Sequence, residues 1–108
     1  MKIPSTIKVA HTTYRVRLIA PNLMGENHAD IDHASLELRI ASDLSPPVQA
    51  EKLVHELLHA AYDAWKISPR YGEEKTVELM APALCTMWAD NPKLCAWLTR
   101  ALKQRREK

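Results

Sequence analysis

The stretch Leu53-Val54-His55-Glu56-Leu57-Leu58-His59-Ala60 limits what this chain can become more than any other. Wound as an α-helix, at about 100° and 1.5 Å per residue, it sets His55 and His59 one turn apart and about 40° apart around the axis. Glu56 then lies within about 100° of both, so two imidazoles and a carboxylate converge on one spot. The apolar residues fall elsewhere: Leu53, Val54, Leu57, Ala60, Ala61, Ala64 and Trp65 gather around Leu57, roughly opposite the histidines. One side of this helix must therefore be buried, while the other presents the histidines to a cleft or to water.

Ser45-Pro46-Pro47 starts that helix, because a serine can cap it and prolines in a first turn forfeit no hydrogen bond. The helix is predicted from Pro46 to Trp65, ending before Ser68-Pro69. Upstream, Ile7 and Val9, then Tyr14, Val16 and Leu18, alternate with polar residues, which predicts an antiparallel hairpin turning near His11-Thr12. Residues 21–34 lose that alternation and read as a solvated loop, rich in His and Asp but without ligand spacing, that can rim a cleft. Leu36, Leu38 and Ile40 alternate again as a third strand.

Downstream, Gly72 to Asp90 reads as a second helix interrupted by Pro82, with Val77, Met80, Ala81, Leu84, Met87 and Trp88 on its apolar face. Asn91-Pro92 ends it and opens a third helix to about Arg105, apolar through Leu94, Cys95, Trp97, Leu98, Ala101 and Leu102. The expectation is an α+β domain spanning residues 1–108, a small three-stranded antiparallel sheet packed with three helices.

A chain of 108 residues has room for one core. A net charge of +2 is too small to imply a nucleic-acid partner, and the basic run Lys103, Arg105, Arg106 and Lys108 suits a helix C-terminus. No apolar run approaches the length that spans a bilayer and no signal-peptide core is seen, so a cytoplasmic protein without membrane association is expected. Cys85 and Cys95 form no CxxC pair and read as reduced core residues.

His55, Glu56 and His59 resemble the HExxH metallopeptidases, the zincins. The resemblance implies that both histidines bind zinc, that a fourth position stays open to water, and that Glu56 is the catalytic base. Tyr62 and Trp65 stand where the metzincin motif would have glycine and a third histidine. Asp63 lies two turns from His55, too far along one straight helix to close on the same ion, and reads as a surface or supporting acid. Tyr62, on the histidine side, is expected at the cleft wall.

The third ligand is sought among Glu73, Glu74 and Glu78. Glu74 and Glu78 resemble the ExxxD pattern of gluzincins, which makes Glu74 the zinc ligand and Glu78 the acceptor for a ligand histidine's N–H. Glu73 lies nearer the middle of the helix's apolar face and stays open as the alternative ligand. From Leu36 to Leu94 the arrangement resembles minimal zincin-like metallopeptidases of bacteriophages and prophages and, more distantly, the ImmA/IrrE peptidases. Leu58 replaces the usual glycine of the latter, and Val77-Glu78 replaces their Ala-Asn, so no substrate carries over. The resemblance implies a phage-related enzyme that hydrolyses peptide or protein substrates, with an extended peptide adding to the strand around Leu36 to Ile40. The competing expectation is a zincin-shaped protein without catalysis, holding a structural metal or serving as an interaction module.

Overall fold

The first alternating segments close into the expected hairpin. β1 (Thr6–Val9) pairs antiparallel with β2 (Thr12–Ile19), Ile7 opposite Tyr14. Between them Ala10 takes the positive φ of 57° that a two-residue turn requires, and His11 is exposed beside it. These positions come from a computed structural model, which describes residues 2–106.

The next segment departs from expectation. After a 3-10 turn at Pro21–Leu23, part of the presumed loop forms a strand, β3 (Ala29–Asp32), followed by β4 (Glu37–Ala41). β4 runs parallel to β2, with Arg15 opposite Glu37 and Ile19 opposite Ala41, and antiparallel to β3. The sheet is thus four-stranded and mixed, in the order β1-β2-β4-β3, in place of the three-stranded antiparallel sheet expected. β3 was hidden because it is an edge strand whose only large apolar residue is Ile31, so it carries almost no period-two signal. Its pairing with β4 is fixed by other means. Asp32 Oδ1 accepts the N–H groups of Ala34 (2.8 Å) and Ser35 (3.2 Å), which tightens the turn and holds the Asp32 carboxyl below its ordinary pKa. Directly across the strands, the Arg39 guanidinium grips Asp30 through Nε (2.8 Å) and Nη2.

α1 (Pro46–Ala64), α2 (Glu73–Asp90) and α3 (Pro92–Arg106) lie close to their predicted limits. Ser45 occupies the N-cap position of α1 without a side-chain capping bond. The helix stops before Ser68-Pro69: Lys66 turns left-handed at φ 55°, and Ile67 N–H donates back to the Tyr62 carbonyl at 2.9 Å. Of the basic run at the chain's end, Lys103 belongs to α3, whereas Glu107 and Lys108 fall outside the described residues.

The core lies on one face of the sheet. Ile7, Val9, Tyr14, Leu38 and Ile40 meet Ala50, Leu53, Leu57 and Ala60 of α1 and Leu94, Trp97, Leu98 and Ala101 of α3. α2 contributes less than its pattern suggested. Only Ala83 and Met87 are buried on it; Val77 and Trp88 are about half exposed, and Cys85 is exposed rather than part of the core.

Asn91 fastens the helical layer to the sheet. Its buried side chain accepts from Lys8 N–H (2.8 Å) and donates to the carbonyls of Lys8 and Met87 (both 2.7 Å), joining the α2–α3 junction to edge strand β1. Asn91→Ala should cost about 2–4 kcal/mol in urea unfolding, because three bonds vanish and their backbone partners stay half-buried. A loss within about 0.5 kcal/mol would mean that water replaces the clamp.

Candidate metal centre

α1 carries its histidines on the side turned from the core. His55 and His59 are both exposed, and their Nε2 atoms stand 3.2 Å apart, with ring planes inclined at 71°. That distance serves a hydrogen bond if one Nε2 is protonated. It also matches two ligands of one ion, since nitrogens 2.0–2.1 Å from a tetrahedral zinc lie roughly 3.3–3.4 Å from each other. With a Glu56 oxygen they form a group whose donor atoms all lie within 4.8 Å of one another.

Glu56 differs from its neighbours in being buried, at 7% exposure. The residue sits about 100° round the helix from Leu57, at the margin of the buried arc, where β3 also packs against α1. One of its oxygens, Oε2, is fully buried and has no hydrogen-bond partner among the described residues. A carboxylate oxygen in that state is costly unless something positive or protic meets it. A cation on the adjacent histidines is one such group, so the donor set and the unpartnered oxygen fit a divalent metal.

Two depressions flank the histidine pair. One is a groove of roughly 420 Å³ between α1 and the edge strand, with Glu56 and His59 on one wall and Asn27, Ala29, Asp30, Ile31 and His33 on the other. Of segment 21–34, expected as a loop, β3 and its flanks form this wall. The second is a small apolar notch formed by His55, Leu58, His59 and Tyr62, where Tyr62 takes its expected wall position.

The sequence-derived site is assembled only in part. His55, Glu56 and His59 come together, but Glu74 is exposed in the first turn of α2 and is not a member of the group, as is also true of Glu73 and Glu78. Asp63 is exposed and faces His33 Nδ1 at 4.0 Å rather than supporting a ligand histidine. β4 is covered on both sides by β2 and β3, so the strand expected to receive a peptide has no free edge; β3 has. The sequence reading gave His33 no individual role, although the Asp-x-x-Ser turn around it was a visible cue that the segment is ordered.

Compared with known proteins, the chain matches no family model, no curated protein and no solved structure.

The unpartnered oxygen yields a prediction that needs no substrate. Glu56→Met, which fills similar space without a polar atom, should stabilise the metal-free protein by about 1–3 kcal/mol in thermal or urea unfolding. Destabilisation by a similar amount would show that Glu56 makes favourable contacts and that its burial has no functional meaning.

Proposed function

We propose that this chain is a zinc-dependent peptidase of the HExxH type, a minimal zincin-like domain in which His55 and His59 hold the metal and Glu56 is the general base. One observation carries the reading: Glu56, a buried carboxylate with an oxygen that has no hydrogen-bond partner among the described residues, offers an oxygen within 4.8 Å of two imidazole nitrogens spaced as ligands of a single ion. When bound, zinc supplies a Lewis acid that acidifies water and polarises a carbonyl.

The chain's own residues account for the remaining steps. Glu56 takes a proton from the attacking water and delivers it to the amine nitrogen as the peptide bond breaks, a shuttle to which its own burial at the groove wall holds it. Substrate orientation falls to the groove. An extended peptide adding to the free edge of β3 runs past Glu56 and His59, its main chain paired with β3 and one side chain near the notch by Leu58 and Tyr62.

Glu74 is retained in this reading as the third protein ligand, reached by closure of the first turns of α2 onto α1. The N-terminal half of α2 buries no residue, so such a closure gives up little packing, and Pro82 supplies a weak point in the helix. A cytoplasmic, phage-related setting belongs to the same proposal. No described helix is long and apolar enough to cross a membrane, and the unbridged cysteines suit a reducing compartment.

Elemental analysis of the purified chain should give one zinc per molecule, and His55→Ala or His59→Ala should abolish it and lower the melting temperature. Glu56→Gln should keep the zinc and lose turnover by a hundredfold or more, on the order expected of a missing general base. Stoichiometric zinc with no cleavage of any unfolded protein would favour the metal-stabilised, non-catalytic alternative.

A second measurement addresses the acids of α2. Glu74→Gln should weaken zinc affinity by roughly tenfold or more, while Glu73→Gln leaves it nearly unchanged. The opposite ranking would transfer the ligand to Glu73.

A further inference from the structure

His33 sits just beyond β3, at one end of the groove that holds Glu56 and His59. Two neighbouring elements determine its surroundings. Tyr14 of β2 is buried at 3% exposure, and its hydroxyl lies 2.9 Å from His33 Nδ1, with the two rings edge-on at 79°. Asp63 of α1 stands 4.0 Å from the same nitrogen, beyond hydrogen-bond length but close enough to hold the ring by its charge if the imidazole is protonated.

A buried phenol O–H needs an acceptor, and His33 Nδ1 is the one found for it among the described residues. Burial first, and the Asp63 charge second, push the Tyr14 pKa above its ordinary value, so the hydroxyl keeps its proton at neutral pH. With Tyr14 donating into Nδ1, the ring's own proton resides on Nε2, the opposite edge of the imidazole. Among the described residues that edge has no hydrogen-bond partner. His33 remains 42% exposed while its other nitrogen is held from the core, which is the arrangement of a presented donor rather than of a core residue.

We infer that His33 contacts substrate in this groove, its Nε2–H donating to the scissile carbonyl oxygen as that oxygen gains negative charge, with Tyr14 as the positioning residue behind it. The inference rests on the metallopeptidase reading and deepens it. A donor fixed before the reaction contributes most where charge develops, because no reorganisation is needed at that moment. His33 is not a member of the His55, Glu56, His59 group, so it is assigned to substrate and not to metal.

The test uses the full-length chain loaded with cobalt(II), titrated with acetohydroxamate, an oxyanion that binds metal centres, and followed by the visible spectrum. His33→Ala, His33→Gln and Tyr14→Phe should bind cobalt as the unaltered chain does, within about twofold. Acetohydroxamate should bind roughly tenfold or more weakly to His33→Ala, the loss expected for one hydrogen bond to a charged group. His33→Gln, which keeps an N–H donor, should recover part of it, and Tyr14→Phe should fall between. Thermal unfolding of Tyr14→Phe checks that the buried site is intact, and the two exposed-site variants decide the matter if it is not.

Equal acetohydroxamate affinity in the unaltered chain and His33→Ala would overturn the inference. Loss of cobalt from His33→Ala would overturn it too, by making His33 a metal ligand. If the unaltered chain takes up no cobalt, the metallopeptidase reading fails and this inference with it. Cobalt uptake with an indifferent His33 sinks only the latter.

Discussion

The structure depends on how α1 lies across the sheet. Its buried arc, Ala50, Leu53, Leu57, Ala60 and Ala61, uses small residues at three of five positions, which lets the helix approach the strands closely. Since residues advance by about 100°, burying that arc fixes where everything else on the helix goes. His55 and His59 are sent to the open side and Glu56 to the margin. Whether the margin is wet or dry is then decided by the sheet's width. With three strands Glu56 would look out beyond the sheet; the fourth strand, β3, packs against α1 and shares the groove with Glu56. The same strand thus supplies the wall opposite Glu56 and His59.

The two ends of the molecule are held very differently. At β1, Asn91 ties helices to sheet through three short hydrogen bonds. On the histidine side the contacts are polar and local: the Arg39–Asp30 pair, the Asp32 turn and the Tyr14–His33 bond. The Arg39–Asp30 pair is partly exposed, so solvent screens it and it contributes little to holding β3 in register. Folding free energy is concentrated in the α1–α3–sheet core, which leaves the groove edge and the start of α2 as the parts that can move without unfolding the rest.

The sequence was legible where one physical signal dominated. The three helices were bounded by Pro, Gly and Asn at their ends, and the hairpin and β4 by strict alternation, and these elements lie close to where the pattern put them. The HExxH trio was legible because its geometry is set within one helix. What failed needed information from elsewhere in the chain. β3 has one large apolar residue and is defined by pairing to β4, not by its own pattern. The apolar face of α2 was read as buried, yet Val77 and Trp88 are left half exposed, since periodicity tells which residues share a side but not whether a neighbour covers it. For the same reason the helical wheel could not foresee that Glu56, alone of the trio, would be buried.

Glu56 and Glu74 are linked by the same energetic argument. A buried oxygen without a partner among the described residues raises the free energy of the metal-free state, and under the proposed reading a cation held by His55 and His59 would lower that penalty. The stronger the penalty, the larger the share of metal affinity that comes from relieving it, and the less is required of a third ligand. In the proposed reading, relief of that penalty would let Glu74 stay on a loosely packed helix end and be drawn in by the ion rather than held in place beforehand. The cost of such an arrangement is a weaker initial grip by two histidines alone. Under the same proposal the groove along β3 would stay open until the metal and α2 close it, which would tie the buried Glu56 carboxylate to the loose packing of Glu74 on α2.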